Sequence, residues 1–80
     1  MTTHHDPTPE RIALGARMLT AMRALGWHQC DVARRFGVSE PAITYCIEGR
    51  LRVPAHVLDW LEDRARAVAA LPTNPEWRKL

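Results

Sequence analysis

The 80-residue sequence has a formal net charge of +2, with 46% hydrophobic and 25% charged residues. This balance is typical of a folded globular domain and excludes a disordered chain, while the length leaves no room for a deep catalytic cleft. No apolar run approaches the roughly 20 residues that cross a bilayer, and the N-terminal residues lack the apolar stretch of a secretion signal. We therefore expect one small cytoplasmic domain, not an enzyme, without membrane contact.

Metal, disulfide and cofactor sites are not indicated by the Cys and His residues. Cys30 and Cys46 are the only cysteines, too few for a disulfide framework or a structural zinc site, so we expect reduced thiols with Cys46 in the core. His4 and His5 have no third potential ligand nearby in sequence and fall in a predicted flexible tail, residues 1–7.

Helix 1 is predicted to start after Thr8, whose hydroxyl can cap it, with Pro9 and Glu10 in the first turn. Gly26 is expected to end it. Its arginines spread around the outer side and are expected to form a solvated face. The apolar residues that keep to one face are Ile12, Met18, Leu19, Met22 and Leu25.

Two short helices joined by a tight turn follow, from about Gln29 to Phe36 and from about Glu40 to Ile47. Gly37 suits the left-handed end of the first, and Ser39 can cap the second. Pro41 is tolerated because it falls in the first turn. Ile43 and Cys46 are expected to point inward, and Leu51, in the loop that follows Gly49, to pack down.

Helix 4 is predicted from near Pro54 to Leu71, because Pro72 forbids continuation. The domain thus spans residues 8–71, and residues 72–80 form a second tail. Trp27, between helices 1 and 2, is expected to close the end of the core. Trp77 either folds back over helices 1 and 4 or docks onto a second copy of the chain. The apolar residues of helix 4 are Val57, Leu58, Leu61, Ala65 and Val68, with Trp60 beside this stripe.

The segment from about Leu25 to Pro54, LGWHQCDVARRFGVSEPAITYCIEGRLRVP, resembles the helix-turn-helix of the Cro and phage-repressor-like (XRE) family of DNA-binding proteins. The resemblance implies an all-α, lambda-repressor-like domain of four to five short helices, in which helix 3 enters the major groove of double-stranded DNA. The matching positions are Gln29 at the start of helix 2, Ala33 where the helices touch, Gly37 in the turn, Val38 and Ile43 in the core, and Gly49 in the following loop.

The resemblance also implies which side chains meet DNA. Arg34 and Arg35 would be further phosphate or base contacts, unless one pairs with Asp31 or Glu48. An acid at position 40 would accept from a cytosine amine or be neutralised by Arg34 or Arg35. The implied base contacts are Glu40, Pro41, Thr44 and Tyr45, and the implied phosphate contacts are Gln29, Ser39, Arg50 and Arg52.

The implied function is sequence-specific transcriptional regulation, with a homodimeric repressor on an inverted-repeat operator. Phage repressors, mobile-element regulators and autoregulating antitoxins share the motif. Helix 4 and the tail, with Trp60 and Trp77 as anchors, are expected to form the dimer interface. A different class stays open: a small helical protein-interaction module that has lost DNA binding, favoured by Glu40, the low net charge and the two tryptophans not needed for the core, Trp60 and Trp77. An enzyme is not indicated, because no Ser–His–Asp set, phosphate loop or metal cluster can be assembled.

Overall fold

Four helices account for the regular structure in the computed structural model, which describes residues 6–70. This confirms the all-α expectation for that part of the chain. The helices are α1 (Pro9–Leu25), α2 (Gln29–Phe36), α3 (Glu40–Glu48) and α4 (Ala55–Ala70).

The predicted helix boundaries agree with the observed ones to within one or two residues. Helix α3 extends one residue further than expected, and α4 starts one residue after Pro54. The predicted end of helix 4 at Leu71 lies outside the described residues, as do His4, His5, Trp77 and the tail from residue 72. Among residues 6–70, no helix combines the length and apolarity needed to span a membrane.

The observed starts of the helices agree with the predicted ones because each cap is formed by a residue within three positions of the group that it binds. The Thr8 hydroxyl accepts from the backbone N–H of Arg11 at 3.2 Å, and the Ser39 hydroxyl accepts from that of Ala42 at 3.3 Å. At the start of α2, the poor cap His28 is assisted by the Asp31 carboxylate, which accepts from the His28 backbone N–H at 2.8 Å. A carboxylate in this first turn also faces the positive end of the helix dipole.

The turn between α2 and α3 depends on Gly37, which has a φ of 69°. A side chain is strained in this left-handed conformation, and glycine is not. The backbone N–H of Val38 then donates to the Ala33 carbonyl at 3.0 Å, which closes the end of α2. The two helices therefore meet over three intervening residues, short enough to hold them as one unit.

The core lies between α1 and α4 and between α1 and α3, with α2 packed on α3. Met18 and Met22 of α1, Val32 of α2 and Leu61 of α4 are almost completely buried. Cys46 is buried as expected, and that burial raises the pKa of its thiol. The other buried apolar residues are Ala21, Ala33, Ile43, Val53, Val57 and Leu58.

Four residues expected in or against the core are instead partly outside it. Val38 is 45% exposed because it directly follows the Gly37 turn, and with Leu51, also exposed, it lines the mouth of a surface groove. Ile12, 47% exposed, lies in the first turns of α1, and Val68, 46% exposed, lies in the last turn of α4. Periodicity placed Ile12 and Val68 on the correct faces, but these ends of the helices have too little cover to bury them.

Helices α1 and α3 approach so closely that backbone touches backbone. A Cβ atom on Gly15 would lie 2.8 Å from the Ile47 carbonyl oxygen and closer still to that of Cys46. Directly after α3, a Cβ atom on Gly49, whose φ is 82°, would lie 3.0 Å from the backbone N and Cα of Ile12. Gly15 within α1 and Gly49 at the end of α3 thus allow the close approach, which fixes the C-terminal end of α3 against α1.

Candidate functional site

The outer side of α3 carries the residues that the sequence singled out. Glu40 and Pro41 are exposed at its start, and Thr44 and Tyr45 are half-buried one turn later. Ile43, on the opposite side, is buried in the core. Helix α3 therefore turns one face to the core and presents a second face that is exposed at Glu40 and Pro41 and partly covered at Thr44 and Tyr45.

Gln29 and Thr44, predicted as separate DNA contacts, are joined to each other. The Thr44 hydroxyl donates to the Gln29 side-chain carbonyl at 2.6 Å, and it also lies 3.3 Å from the backbone carbonyl of Glu40. Because a hydroxyl has one hydrogen, the Thr44 oxygen retains only acceptor capacity, while the Gln29 amide retains both of its N–H donors. The pair thus offers donors at the α2 N-terminus and an acceptor with a methyl group on α3.

The loop arginines are engaged by carboxylates in the free protein. Arg50 Nε lies 3.2 Å from Glu48 Oε1, and Arg52 Nη1 lies 2.7 Å from Glu10 Oε1. All four of these side chains are well exposed, so the pairs are weak and screened by salt. A stronger anion in the same place can displace the carboxylates.

Arg11 was expected on a solvated face and instead connects three parts of the chain. Its guanidinium donates to the Arg50 carbonyl at 3.1 Å, to the Thr8 hydroxyl at 3.1 Å and to the Asp6 carbonyl at 3.1 Å. It thereby positions the loop that carries Arg50 and Arg52. No local pattern points to this role, because the partner lies 39 residues away in sequence.

Arg34 and Arg35 lie on the exposed side of α2 and have different surroundings. The Arg35 guanidinium carbon lies 4.7 Å from the ring centroid of Trp60 and 5.5 Å from that of Phe36. Arg34 lines a shallow concavity with Trp27 and Asp31. Among residues 6–70, neither arginine forms an ion pair with Asp31, Glu48 or Glu40. Neutralisation of Glu40 by one of them, which was predicted as an alternative to a cytosine contact, therefore does not occur in the protein alone. Arg34 is therefore free of a carboxylate partner within the described part of the chain.

Trp60, expected as a dimer anchor, has much of its ring occupied within the chain. Its centroid lies 5.5 Å from that of Trp27 and 5.6 Å from that of Phe36, the second in an edge-to-face arrangement. Arg35 and, at 5.2 Å, Arg64 also lie over the ring. Trp27 is half-buried against the core, which confirms its predicted place at the end of the core. A second copy could contact only the exposed remainder of Trp60.

The described residues hold no group of three or more His, Cys, Asp or Glu side chains that could bind a metal ion. Cys30 and Cys46 are both free thiols. The arrangement on α3 is accordingly one of hydrogen-bond donors, acceptors and exposed cations around a polar helix face. Such a surface can form hydrogen bonds and ion pairs with a polar molecule.

Comparison of the chain with protein-family models, with curated proteins and with solved structures gives no match.

Proposed function

We propose that this protein is a sequence-specific transcriptional regulator that binds double-stranded DNA with the outer face of α3 in the major groove. The observation that carries the proposal is the α2–α3 unit, in which a three-residue turn holds two short helices and leaves the start of α3 exposed at Glu40 and Pro41. A helix held in this way can enter the major groove while α1 and α2 support it from behind. The residues proposed to contact base edges are Glu40, Pro41, Thr44 and Tyr45.

The Gln29–Thr44 hydrogen bond narrows the chemistry of base reading. Because the Thr44 hydroxyl donates its hydrogen to Gln29, its oxygen can only accept a hydrogen bond, as from the amine of adenine or cytosine. The methyl group of Thr44 can make an apolar contact with the methyl group of thymine. The Gln29 amide, at the N-terminus of α2, is placed to donate to a phosphate together with the helix dipole. Thr44→Val keeps the methyl group and replaces the hydroxyl by a second methyl, so it should cost about 1–3 kcal/mol of base discrimination at one position.

To bind phosphate, Arg50 must give up its ion pair with Glu48, and Arg52 must give up its ion pair with Glu10. Because these carboxylates compete with phosphate, Glu10→Gln and Glu48→Gln should raise DNA affinity on all sequences alike and leave the preferred sequence unchanged. Glu62→Gln is the matched control, since Glu62 pairs with Arg17 on the α1–α4 side. If Glu10→Gln and Glu48→Gln raise affinity no more than Glu62→Gln does, Arg50 and Arg52 do not bind phosphate.

The proposal is tested by selecting bound duplexes from random DNA and then measuring affinity against salt concentration. We expect a defined sequence, affinity that falls steeply with salt, and a slope reduced by about one when one phosphate-contacting arginine is replaced. No salt-dependent binding to any duplex would refute DNA binding.

We also propose that the protein acts as a homodimeric repressor on an inverted repeat, because one short helix reads only a few base pairs and two half-sites multiply the discrimination. The selected DNA sequence tests this directly. Two half-sites in inverted orientation, one helical turn or a multiple apart, are expected. A single half-site bound by one chain would contradict the dimer.

A second candidate function is that of a protein-interaction module on the same fold. The observation that favours it is Glu40, an exposed acid at the start of α3 that pairs with no cation among the described residues and would approach the phosphates of DNA. Glu40→Gln separates the two candidates. Under DNA binding it changes base preference or affinity, whereas a protein-binding surface would give no duplex binding with either side chain.

A further inference from the structure

A groove lies where the C-terminal ends of α1 and α4 come together, and we call it the Trp27 groove. Its volume is about 460 Å³. Val68 contributes one of the most exposed large apolar side chains among the described residues. None of its lining residues belongs to α3. The lining residues are Leu25, Trp27, Arg64, Ala67 and Val68.

The Trp27 groove combines an apolar wall with one cation. Arg64 lies over the Trp60 ring and pairs with no carboxylate among residues 6–70, whereas its neighbour Arg66 is paired with Asp63. An occupant that matches this surface has a large apolar side chain next to an acidic one. Residues 71–80 contain this combination once, as Glu76 followed by Trp77.

We propose that the Trp27 groove binds residues 71–80 of its own chain, with Trp77 against Leu25, Trp27 and Val68 and with Glu76 at Arg64. This goes beyond the proposed function and does not depend on DNA binding. On this proposal Trp77 belongs to its own domain, one of the two placements that the sequence leaves open, and it is not a dimer anchor.

The length of the connecting chain permits this return. Trp77 follows Ala70, the last residue of α4, by seven residues, which can span up to about 25 Å. Arg64 lies six residues before Ala70, or about 9 Å back along the helix axis. Pro72 and the Asn74–Pro75 pair are turn signals that allow the chain to reverse.

The chain's own segment has an advantage over a second copy. A ligand tethered by a short linker experiences an effective concentration in the millimolar range, about a thousand times that of free protein at micromolar concentration. A groove at the other end of α4, lined by Val38, Leu51 and Val57 among others, lies farther away. Val57 is about 20 Å from Ala70 along the axis, so Trp77 would have to travel most of its reach in a straight line to arrive there.

The test is solution NMR of the full chain, with Val38 as the internal control for Val68. We expect nuclear Overhauser contacts between the Trp77 indole and the methyl groups of Leu25 and Val68. Trp77→Ala should shift those methyl resonances and leave the Val38 methyls unchanged, since Val38 has nearly the same exposure on a different surface. Glu76→Gln should lower the docking equilibrium constant roughly two- to five-fold at low salt, as expected for an exposed ion pair.

A mixture of isotope-labelled and unlabelled protein separates the possible occupants. Contacts within one labelled chain that persist on dilution support the proposal. Contacts seen only between labelled and unlabelled chains would show that a second copy fills the groove, and would overturn it. Absence of any contact between Trp77 and Leu25 or Val68, or equal shifts at Val38 and Val68, would overturn it as well.

Discussion

Replacing Gly15 by alanine tests the contact between α1 and α3 most directly. Two effects oppose each other. In the middle of a helix, alanine is favoured over glycine by about 1 kcal/mol, so an uncrowded site would be stabilised. At Gly15, however, the new Cβ atom would lie 2.8 Å from the Ile47 carbonyl oxygen and closer to that of Cys46. Both oxygens belong to the backbone of α3, and neither can turn aside as a flexible side chain would.

The steric effect should exceed the propensity effect. Overpacking of a well-packed interior costs about 1–3 kcal/mol, occasionally more, and a clash with main-chain atoms belongs at the upper end of that range. The net expectation is a loss of about 2 kcal/mol in the free energy of unfolding. For a domain of this size, such a loss lowers the melting temperature by about 8–16 °C.

Urea unfolding followed by circular dichroism measures the change. We expect a lower midpoint with an unchanged m-value, which indicates lost stability without a change in the denatured state. Ala16→Gly, at the exposed neighbouring position, is the control and should cost only the helix-propensity difference of about 1 kcal/mol. If Gly15→Ala is as stable as the original protein, or more stable, then α1 and α3 do not approach as closely as described.

Two further predictions concern titratable groups. Under native conditions a thiol reagent should modify the half-buried Cys30 and leave Cys46 unmodified until the protein unfolds, because Cys46 is buried and burial raises its pKa; equal native rates for the two would contradict this. The Arg17 guanidinium donates to both Glu62 oxygens, at 2.6 and 3.0 Å, and holds the pKa of that carboxyl below its ordinary value. The ion pair therefore stabilises the fold at pH values above the ordinary pKa of glutamate, and this stabilisation is lost as the pH falls through the lowered pKa. Glu62→Gln should accordingly be slightly destabilising at pH 7 and neutral at strongly acidic pH. A Glu62→Gln deficit that does not shrink with falling pH in urea titrations would refute the assignment.

The helix boundaries could be predicted because their signals are local. Thr8, Ser39 and Gly37 act on backbone groups a few residues away, so their effect can be read from spacing alone. The inward position of Ile43 follows from helical periodicity in the same way.

Contacts between distant segments could not be predicted from local patterns. Gly15 reads in the sequence as an isolated small residue in a helix, and only the crossing of α1 and α3 gives it a role. Arg11 and the Gln29–Thr44 pair depend on the same tertiary arrangement. Val38 shows the reverse case, because an apolar residue after a turn matched a core position, while the turn leaves it nearly half exposed.

The backbone contact between α1 and α3 also bears on how such a protein can change its target over evolutionary time. Gly15 and Gly49 hold α3 through main-chain atoms, so the placement of the helix does not depend on the identity of its outward side chains. The exposed residues 40 and 41 can then be exchanged with little loss of stability. For a protein that binds DNA as proposed, gene duplicates can thereby diverge in the DNA sequence that they recognise while keeping one scaffold. Substitution of Thr44 is more constrained, because it would leave Gln29 without its hydrogen-bond partner unless Gln29 changed as well.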